Sequence, residues 1–281
     1  MLYLFKIKQL RIYMKFIKNY FLLIIALLML VSCSEYEKVL KGDDYVKKYN
    51  MAVKLYEKKK FVKAVPLFEE SISIFSKLSE KGEKAYYYLC YSHYFMQDYA
   101  LAGYYFKNFT VTYPTSEHAE ECAFMSANCK VQSSPKSSLD QSNTLGAIND
   151  LQAFLNRYPT TTRKDTCNFI IGNLRDKLEV KSFESANLYY NMEGYAAASV
   201  SFTNMLSDYP DTDMREEVLF LIVKSNYNLA YNSIPSKKVE RFEETIKSYT
   251  KFVDNFPKSN LISEIEDMYK MSQLELNKIK K

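Results

Sequence analysis

The most informative absences in this chain of 281 residues concern tryptophan, glycine and histidine, which number zero, six and two. So few glycines leave little room for a glycine-rich phosphate-binding loop, and the sequence contains none. His93 and His118 fall in different predicted helix pairs, so each is interpreted as an ordinary helix residue and not as a metal ligand or catalytic base. Acidic residues are scattered, and adjacent pairs such as Glu120-Glu121 diverge by about 100° on a helix. The sequence therefore predicts no enzymatic activity, no metal and no cofactor.

The amino-terminal region combines basic residues with a short apolar run. Five basic residues precede an uninterrupted apolar segment of 12 residues, 20–31. A membrane span takes ~20 residues, whereas the apolar part of a secretory signal peptide takes only ~7 to 15. The segment is followed by Ser32 and Cys33, and Leu30-Val31-Ser32-Cys33 resembles a bacterial lipobox. Residues 1–32, starting at Met1 or at Met14, are thus predicted to be a signal peptide, and Cys33 is predicted to carry a lipid such as palmitate.

Removing that peptide changes the charge balance of the chain. The whole sequence has 38 basic and 33 acidic residues, and residues 1–32 hold five of the basic ones and none of the acidic ones. The remainder has 38 minus 5, or 33, basic residues against 33 acidic ones. Nucleic-acid binding requires a concentrated positive face, and a balance of zero argues against it. A small basic cluster at residues 278–281 fits the end of a helix.

A repeated pattern decides the predicted fold. Four segments share an aromatic residue or methionine, three intervening residues, an aromatic residue and a proline, and their prolines are 45, 51 and 47 residues apart. The segments are Phe109 to Pro114, Phe154 to Pro159, Met205 to Pro210 and Phe252 to Pro257. Twelve residues before each proline stands a small residue: Ala102, Ala147, Ala198 or Thr245. This pattern is typical of the second helix of a tetratricopeptide repeat, where a small residue lets two helices approach and the proline ends the helix.

A fifth unit, from Met51 to Phe68, shows the same offsets without the proline. The sequence predicts an all-α solenoid of about five tetratricopeptide-like helix pairs in residues 45–281, forming one elongated domain or two small ones. Residues 33–44 are polar and are predicted to be a lipidated tether. Asp165 to Asn191 contains no helix breaker except Gly172, so it is predicted to form one long helix.

Polar residues punctuate the predicted helices. Serine and proline in residues 133–138 and 233–236 are predicted to interrupt the helical pattern. Pairs of polar residues that follow three of the repeat prolines within one or two positions are predicted to cap the next helix through their side-chain oxygens. These pairs are Thr115-Ser116, Asp211-Thr212 and Ser259-Asn260.

Four cysteines remain after Cys33, namely Cys90, Cys122, Cys129 and Cys167. Cys122 and Cys129 are about 10 Å apart along one helix, which exceeds disulfide geometry. Cys90 stands at a small-residue position, which favours a buried apolar role. Bonds between helices, such as Cys90 to Cys129 or Cys122 to Cys167, stay open at this level.

A lipobox, a short tether and five repeat units with Phe-x-x-x-Tyr-Pro closures together resemble the BamD family, most characteristically in Phe109 to Ala119. The resemblance covers nearly the whole chain after Cys33. It implies a lipid-anchored scaffold of the outer-membrane β-barrel assembly machinery, on the periplasmic face of the outer membrane. The implied partners are a BamA-like barrel subunit and unfolded outer-membrane β-barrel proteins. Ser34 resembles an outer-membrane sorting signal, while Glu35 and Glu37 leave open which leaflet holds the anchor.

The peptide-binding groove is predicted from the first helices of the amino-terminal repeats. In the proposed register the inward positions are rich in tyrosine, and such rings provide contact area for an unfolded strand at low entropic cost. The predicted groove residues are Tyr49, Val53, Tyr56, Tyr87, Tyr91 and Phe95. The division of labour, in which the carboxy-terminal repeats dock the barrel subunit, is implied by the resemblance.

Two other classes of binding protein share such repeats. A periplasmic tetratricopeptide adaptor for cell-wall or division complexes would commonly carry a coiled coil or lack the lipid, and no sustained heptad repeat occurs here. A SusD-like glycan-capturing lipoprotein would normally be far longer and would stack sugars on tryptophan. A lipoprotein enzyme would need a catalytic constellation, and none was found.

Overall fold

The computed structural model describes residues 35–75 and 79–279. The predicted signal peptide and Cys33, the predicted lipid site, lie outside this range. All regular structure in the described part is helical, and none of its helices is long and apolar enough to cross a membrane. The all-α, tetratricopeptide-like solenoid class predicted from the sequence is confirmed. The helices are α1 (described over residues 35–41), α2 (Tyr45–Glu57), α3 (Phe61–Ile74), α4 (Glu80–Phe95), α5 (Tyr99–Thr112), α6 (Ala119–Gln132), α7 (Ser142–Arg157), α8 (Lys164–Asn191), α9 (Tyr195–Asp208), α10 (Arg215–Tyr231), α11 (Pro235–Asn255) and α12 (Ile262–Ile279).

The chain divides into two compact units, with the boundary between Ser133 and Ser134. In unit 1, α2 packs on α3, α3 on α4, α4 on α5 and α5 on α6. In unit 2, each helix from α7 to α12 likewise packs on the next one in the chain. This boundary falls within residues 133–138, where serine and proline are predicted to interrupt the helical pattern. The second predicted interruption is shorter than expected, because Pro235 lies in the first turn of α11 and only residues 232–234 separate α11 from α10.

The predicted repeat register is confirmed by burial. Ala102, Ala147, Ala198 and Thr245, twelve residues before the prolines, are fully buried. The large residue four positions later is also fully buried in three of the units, as Phe106, Leu151 and Phe202. A small side chain lets the two helices of a pair come close, and the neighbouring ring or leucine then fills the remaining space at crystal-like density.

Each repeat proline ends a helix in the same way. α5, α7, α9 and α11 all end two residues before the proline, and the intervening aromatic residue donates its amide to the carbonyl four residues earlier, at 2.8 to 2.9 Å. Because proline has no amide hydrogen, the ladder stops there. The predicted helix caps are wrong in detail. The hydroxyls of Ser116, Thr212 and Ser259 accept the amide two residues onward, within the turn before the helix.

Two further predictions concern the segment from Asp165 to Asn191 and the tether of residues 33–44. The long helix predicted from Asp165 to Asn191 is confirmed as α8, which has 28 residues. Part of the predicted tether is α1, where Tyr36, Val39 and Leu40 pack against the buried core of α2, α3 and α4. Apolar side chains on an otherwise polar segment explain this docking, since they recur at i, i+3 and i+4.

Candidate functional site

The candidate site is a set of aromatic side chains in unit 1, contributed by α2, α3 and α4. We call it the aromatic surface and define it as Tyr56, Phe61, Tyr87, Tyr88, Tyr91 and Phe95. Positions 87, 91 and 95 follow one another at a spacing of four, and 88, 91 and 95 at three and four, so α4 presents these rings on one broad face. α2 packs on both α3 and α4, which brings Tyr56 to the same place.

Ring contacts join the members of the aromatic surface. Tyr56 lies 4.7 Å from Tyr88 and 5.5 Å from Phe61, measured between ring centroids. Phe61 and Phe95 are stacked at 5.1 Å with an angle of 26° between their planes. Tyr91 lies 4.9 Å from Tyr87 and 5.7 Å from Phe95, so the set is continuous along α4.

The members differ in how much surface they expose. Phe95 is 50% exposed, which is unusual for a phenylalanine in contact with three or more other rings, while the other five are half-buried. Tyr91 also packs edge-on against the fully buried Phe106, at 5.1 Å. The aromatic surface therefore rests on the core of unit 1 and presents Phe95 outward.

A carboxylate on α6 holds two of the tyrosines. The hydroxyl of Tyr91 donates to Oε1 of Glu121 at 2.6 Å, and that of Tyr87 donates to Oε2 at 3.0 Å. Burial, together with the nearby Glu121 charge, raises the pKa of both hydroxyls well above the ordinary range of tyrosine. Burial also raises the pKa of Tyr56 to about 12. The hydroxyls of Tyr87 and Tyr91 therefore stay protonated and donate to Glu121, which fixes α4 to α6.

The predicted groove residues pack in different places. Tyr56, Tyr87, Tyr91 and Phe95 belong to the aromatic surface. Tyr49 instead forms an edge-on pair with Phe75 at 5.9 Å, and Val53 packs against the buried core around Ala52. For all six residues, a role in binding stays a prediction.

Sequence reasoning missed Phe61 and Tyr88. The predicted register turned Tyr87, Tyr91 and Phe95 inward, and only the packing of α2 on α4 shows that Tyr88 joins Tyr56. Phe61 is the first residue of α3, the second helix of its pair. It is half-buried, and its ring contacts with Tyr56 and Phe95 place it on the aromatic surface.

The histidines and cysteines of the site region are buried or stacked. His118 is stacked on Tyr87 at 4.3 Å. All four cysteines after Cys33 are free and buried, so the disulfides left open by the sequence are not formed. Burial raises the pKa of Cys129 to about 12, which disfavours the reactive thiolate. The residues that the structure describes contain no group of three or more histidine, cysteine and carboxylate side chains placed to hold a metal ion.

Unit 2 presents a different kind of surface, on its last described helix. Met271 and Leu274 of α12 are 41% and 52% exposed and lie three residues apart, on one face. Elsewhere α12 is fixed to α10, because Lys224 donates to Glu264 at 2.7 Å. Phe252, at the predicted docking end, is fully buried and cannot itself meet a partner.

A family model described as an outer membrane lipoprotein, YfiO, matches residues 43–242. The chain belongs to the YfiO outer membrane lipoprotein family. The matched residues include all of the aromatic surface and end within α11. Membership associates the protein with the outer membrane, and with outer membrane assembly at the level of the family.

Two similar proteins accompany the family match. The chain is 23% identical over 229 residues to a putative outer membrane protein assembly factor BamD of Aquifex aeolicus (strain VF5), covering 81% of this chain and 72% of the relative. It is also similar to a solved structure of the yeast histone chaperone Hif1, described as a scaffold protein recruiting protein complexes to core histones. That similarity has 14% identity and a TM-score of 0.27, covering 85% of this chain and 95% of the other. It is too low to indicate a shared function.

Proposed function

We propose that this YfiO-family protein is a non-catalytic scaffold of the outer-membrane β-barrel assembly complex. A lipid at Cys33 anchors it to the periplasmic face of the outer membrane. Unit 1 binds extended segments of unfolded barrel proteins, and unit 2 docks a BamA-like barrel subunit. The observation that carries the proposal is the aromatic surface of unit 1 with its exposed Phe95.

The aromatic surface suits an extended chain with alternating apolar side chains. Strands of outer-membrane barrels alternate apolar and polar residues. On one face of an extended chain, side chains recur every ~6.7 Å. The ring centroids of Tyr87, Tyr91 and Phe95 are 4.9 and 5.7 Å apart along α4. Successive apolar side chains on one face of a bound strand can therefore pack on these rings or between them.

Preorganisation strengthens this argument. The hydrogen bonds from Tyr87 and Tyr91 to Glu121 fix two rings before any ligand arrives. A surface that is already ordered loses less conformational entropy on binding. Aromatic side chains also dominate the energetics of protein interfaces, because each buries a large area with few rotatable bonds.

The docking role of unit 2 is supported by the exposed face of α12. The solvent-exposed face of a packed helix is normally polar. Met271 and Leu274 depart from that rule. Apolar residues grouped on an exposed face often mark a protein interface. The BamD name of the Aquifex relative is the reason for choosing a BamA-like subunit as the partner.

Site-specific photo-crosslinking in intact cells tests the division of labour. A crosslinker at Phe95 should capture carboxy-terminal segments of newly made barrel proteins, and one at Leu274 should capture the barrel subunit. Tyr104, which is 60% exposed on α5, is the matched control in unit 1 and should capture neither. A crosslinker at Lys251, the exposed neighbour of Phe252 near the end of α11, should also capture the barrel subunit. The opposite arrangement, or capture of cell-wall proteins alone, would overturn the assignment.

A further inference from the structure

A concentration of positive charge lies in the turn between α2 and α3. The sequence from 57 to 63 contains four lysines and one glutamate, so its formal charge is four minus one, or +3. We call Lys58, Lys59, Lys60 and Lys63 the basic turn, and all four are exposed. No described carboxylate forms an ion pair with any of them.

The backbone of the turn is held in a defined conformation. The amide of Lys60 donates to the carbonyl of Leu55, and the amide of Lys59 to that of Tyr56, both at 2.8 Å. Lys59 adopts a positive φ of 56°. These are the features of a Schellman motif, which ends α2 and satisfies its last carbonyls. The three consecutive lysines, 58 to 60, therefore project from a turn with a fixed backbone and not from a mobile loop.

Apolar side chains accompany the charges. Val62 is 76% exposed, one of the most exposed large apolar residues in the described chain. Together with Phe61, Met96 and three of the lysines, it lines an open recess of about 410 Å³. A recess lined by both apolar and cationic side chains matches the boundary between lipid headgroups and acyl chains.

The basic turn also adjoins the start of the described chain. The hydroxyl of Tyr36 donates to the carbonyl of Lys63 at 3.2 Å, and the Lys63 ammonium lies 5.3 Å from the centre of the Tyr36 ring. Glu35, the first described residue, follows Cys33 by two positions, a distance of at most about 7 Å along an extended chain. A lipid on Cys33 would therefore hold the basic turn close to the membrane surface.

We propose that the basic turn binds the headgroups of anionic phospholipids in the leaflet that holds the Cys33 lipid, with Val62 entering the interface. The proposal rests on the lipid anchoring in the proposed function. Each basic residue close to an anionic membrane surface strengthens binding about fivefold. A lipid anchor combined with a polybasic patch gives stable attachment. Unit 1 is thereby oriented on the membrane as well as tethered to it.

Vesicle binding by a chain without the lipid tests the proposal independently of the anchor. Residues 33–281 carrying Cys33→Ser should sediment with vesicles of phosphatidylglycerol and phosphatidylcholine, and much less with phosphatidylcholine alone. Neutralising the basic turn should weaken this binding at least tenfold. Neutralising four exposed lysines of unit 2, an equal change in net charge, should have little effect. The test variant is K58Q/K59Q/K60Q/K63Q, and the control variant is K237Q/K247Q/K251Q/K258Q.

The outcomes separate this proposal from the proposed function. Circular dichroism must show the same helix content in both variants, which is expected because all eight lysines are exposed. Equal binding of the two variants, or binding that ignores phosphatidylglycerol, would refute the basic turn as a lipid site. Failure of acylation at Cys33 would refute the anchor but leave the vesicle result standing.

A second measurement uses the complete lipidated protein in cells. A photo-crosslinker at Val62 should label phospholipid, detected by incorporated radioactive phosphate. One at Val111, which is 74% exposed on α5, should not. Polypeptide captured at Val62 in place of lipid would identify the recess as a protein-binding site and overturn the proposal.

Discussion

His93 shows how burial changes the chemistry of a single side chain. Its ring lies at the end of α4, is 5% exposed, and is stacked on Tyr105 at 5.1 Å. Its Nδ1 is 3.8 Å from the carboxylate of Asp98, and Glu69 of α3 accepts a hydrogen bond from Tyr105 nearby. Burial lowers the pKa of His93 despite the opposing effect of Asp98 and Glu69. The folded state therefore favours the neutral imidazole of His93.

This arrangement predicts a pH dependence of stability. Because the folded state holds His93 at a lower pKa than the unfolded value of about 6.5, the unfolded state binds the proton more readily. His93 therefore leaves the free energy of unfolding at its full value above about pH 6.5 and lowers it as the pH falls below that value. His93→Phe keeps the stacking and removes the titration.

Thermal unfolding at two pH values measures the effect. Between about pH 7.5 and about pH 5.5 the Tm of the wild type should fall further than that of His93→Phe. The comparison within each protein cancels the change in packing that phenylalanine introduces. Parallel shifts in the two proteins would show that folding does not change the pKa of His93.

At the scale of elements, two glycines occupy opposite situations. Gly172 lies inside α8, and a Cβ atom there would meet no other atom within 4 Å. Gly103 lies in α5 against α6, where a Cβ atom would come within 3.3 Å of the Cβ of Cys129. The first glycine weakens its helix without a packing reason, whereas the second permits two helices to approach.

Gly172→Ala should therefore stabilise the protein by ~0.5 to 1 kcal/mol, since alanine restricts the unfolded chain and favours helix. Gly103→Ala should gain less or lose stability, because Cys129 must move. Urea denaturation of each variant and of the wild-type chain measures the difference. A larger gain at Gly103 than at Gly172 would contradict the close contact of α5 and α6.

The whole molecule combines two repeat units with one predicted attachment point. α1 is described from residue 35 and packs on α2, α3 and α4, so little chain would separate a lipid on Cys33 from the folded body of unit 1. Such a short connection would limit how far unit 1 can move from the membrane.

Cys33→Ala should abolish incorporation of radioactive fatty acid and move the protein to the soluble fraction. Release of the Cys33→Ala variant from the membrane should be more complete in high salt, because salt screens the attraction between the basic turn and anionic lipid. Cys167→Ala, a change at a buried thiol, should leave the label in place. A wild-type chain that takes up no label would contradict acylation.

Much of the fold was accessible from the sequence, because the features that define it are local and repeated. A small residue, a large residue and a proline at constant offsets specify how each helix pair closes, and Ala102 and Ala198 are buried as that register requires. The length of α8 followed from the lack of breakers between Asp165 and Asn191. Hydroxyl positions in turns were not predicted well, since one or two residues decide between a helix cap and a turn.

The sequence by itself determined the helical class and the repeat register, because both depend on residues close together along the chain. Only the tertiary structure decided which rings of α4 join Tyr56, since Tyr87 and Tyr88 are equivalent in pattern and differ only in their neighbours. It also brought Tyr36 to Lys63, which is 27 residues away. Surfaces assembled from several helices depend on contacts between distant residues, and these contacts leave no periodic trace in the sequence.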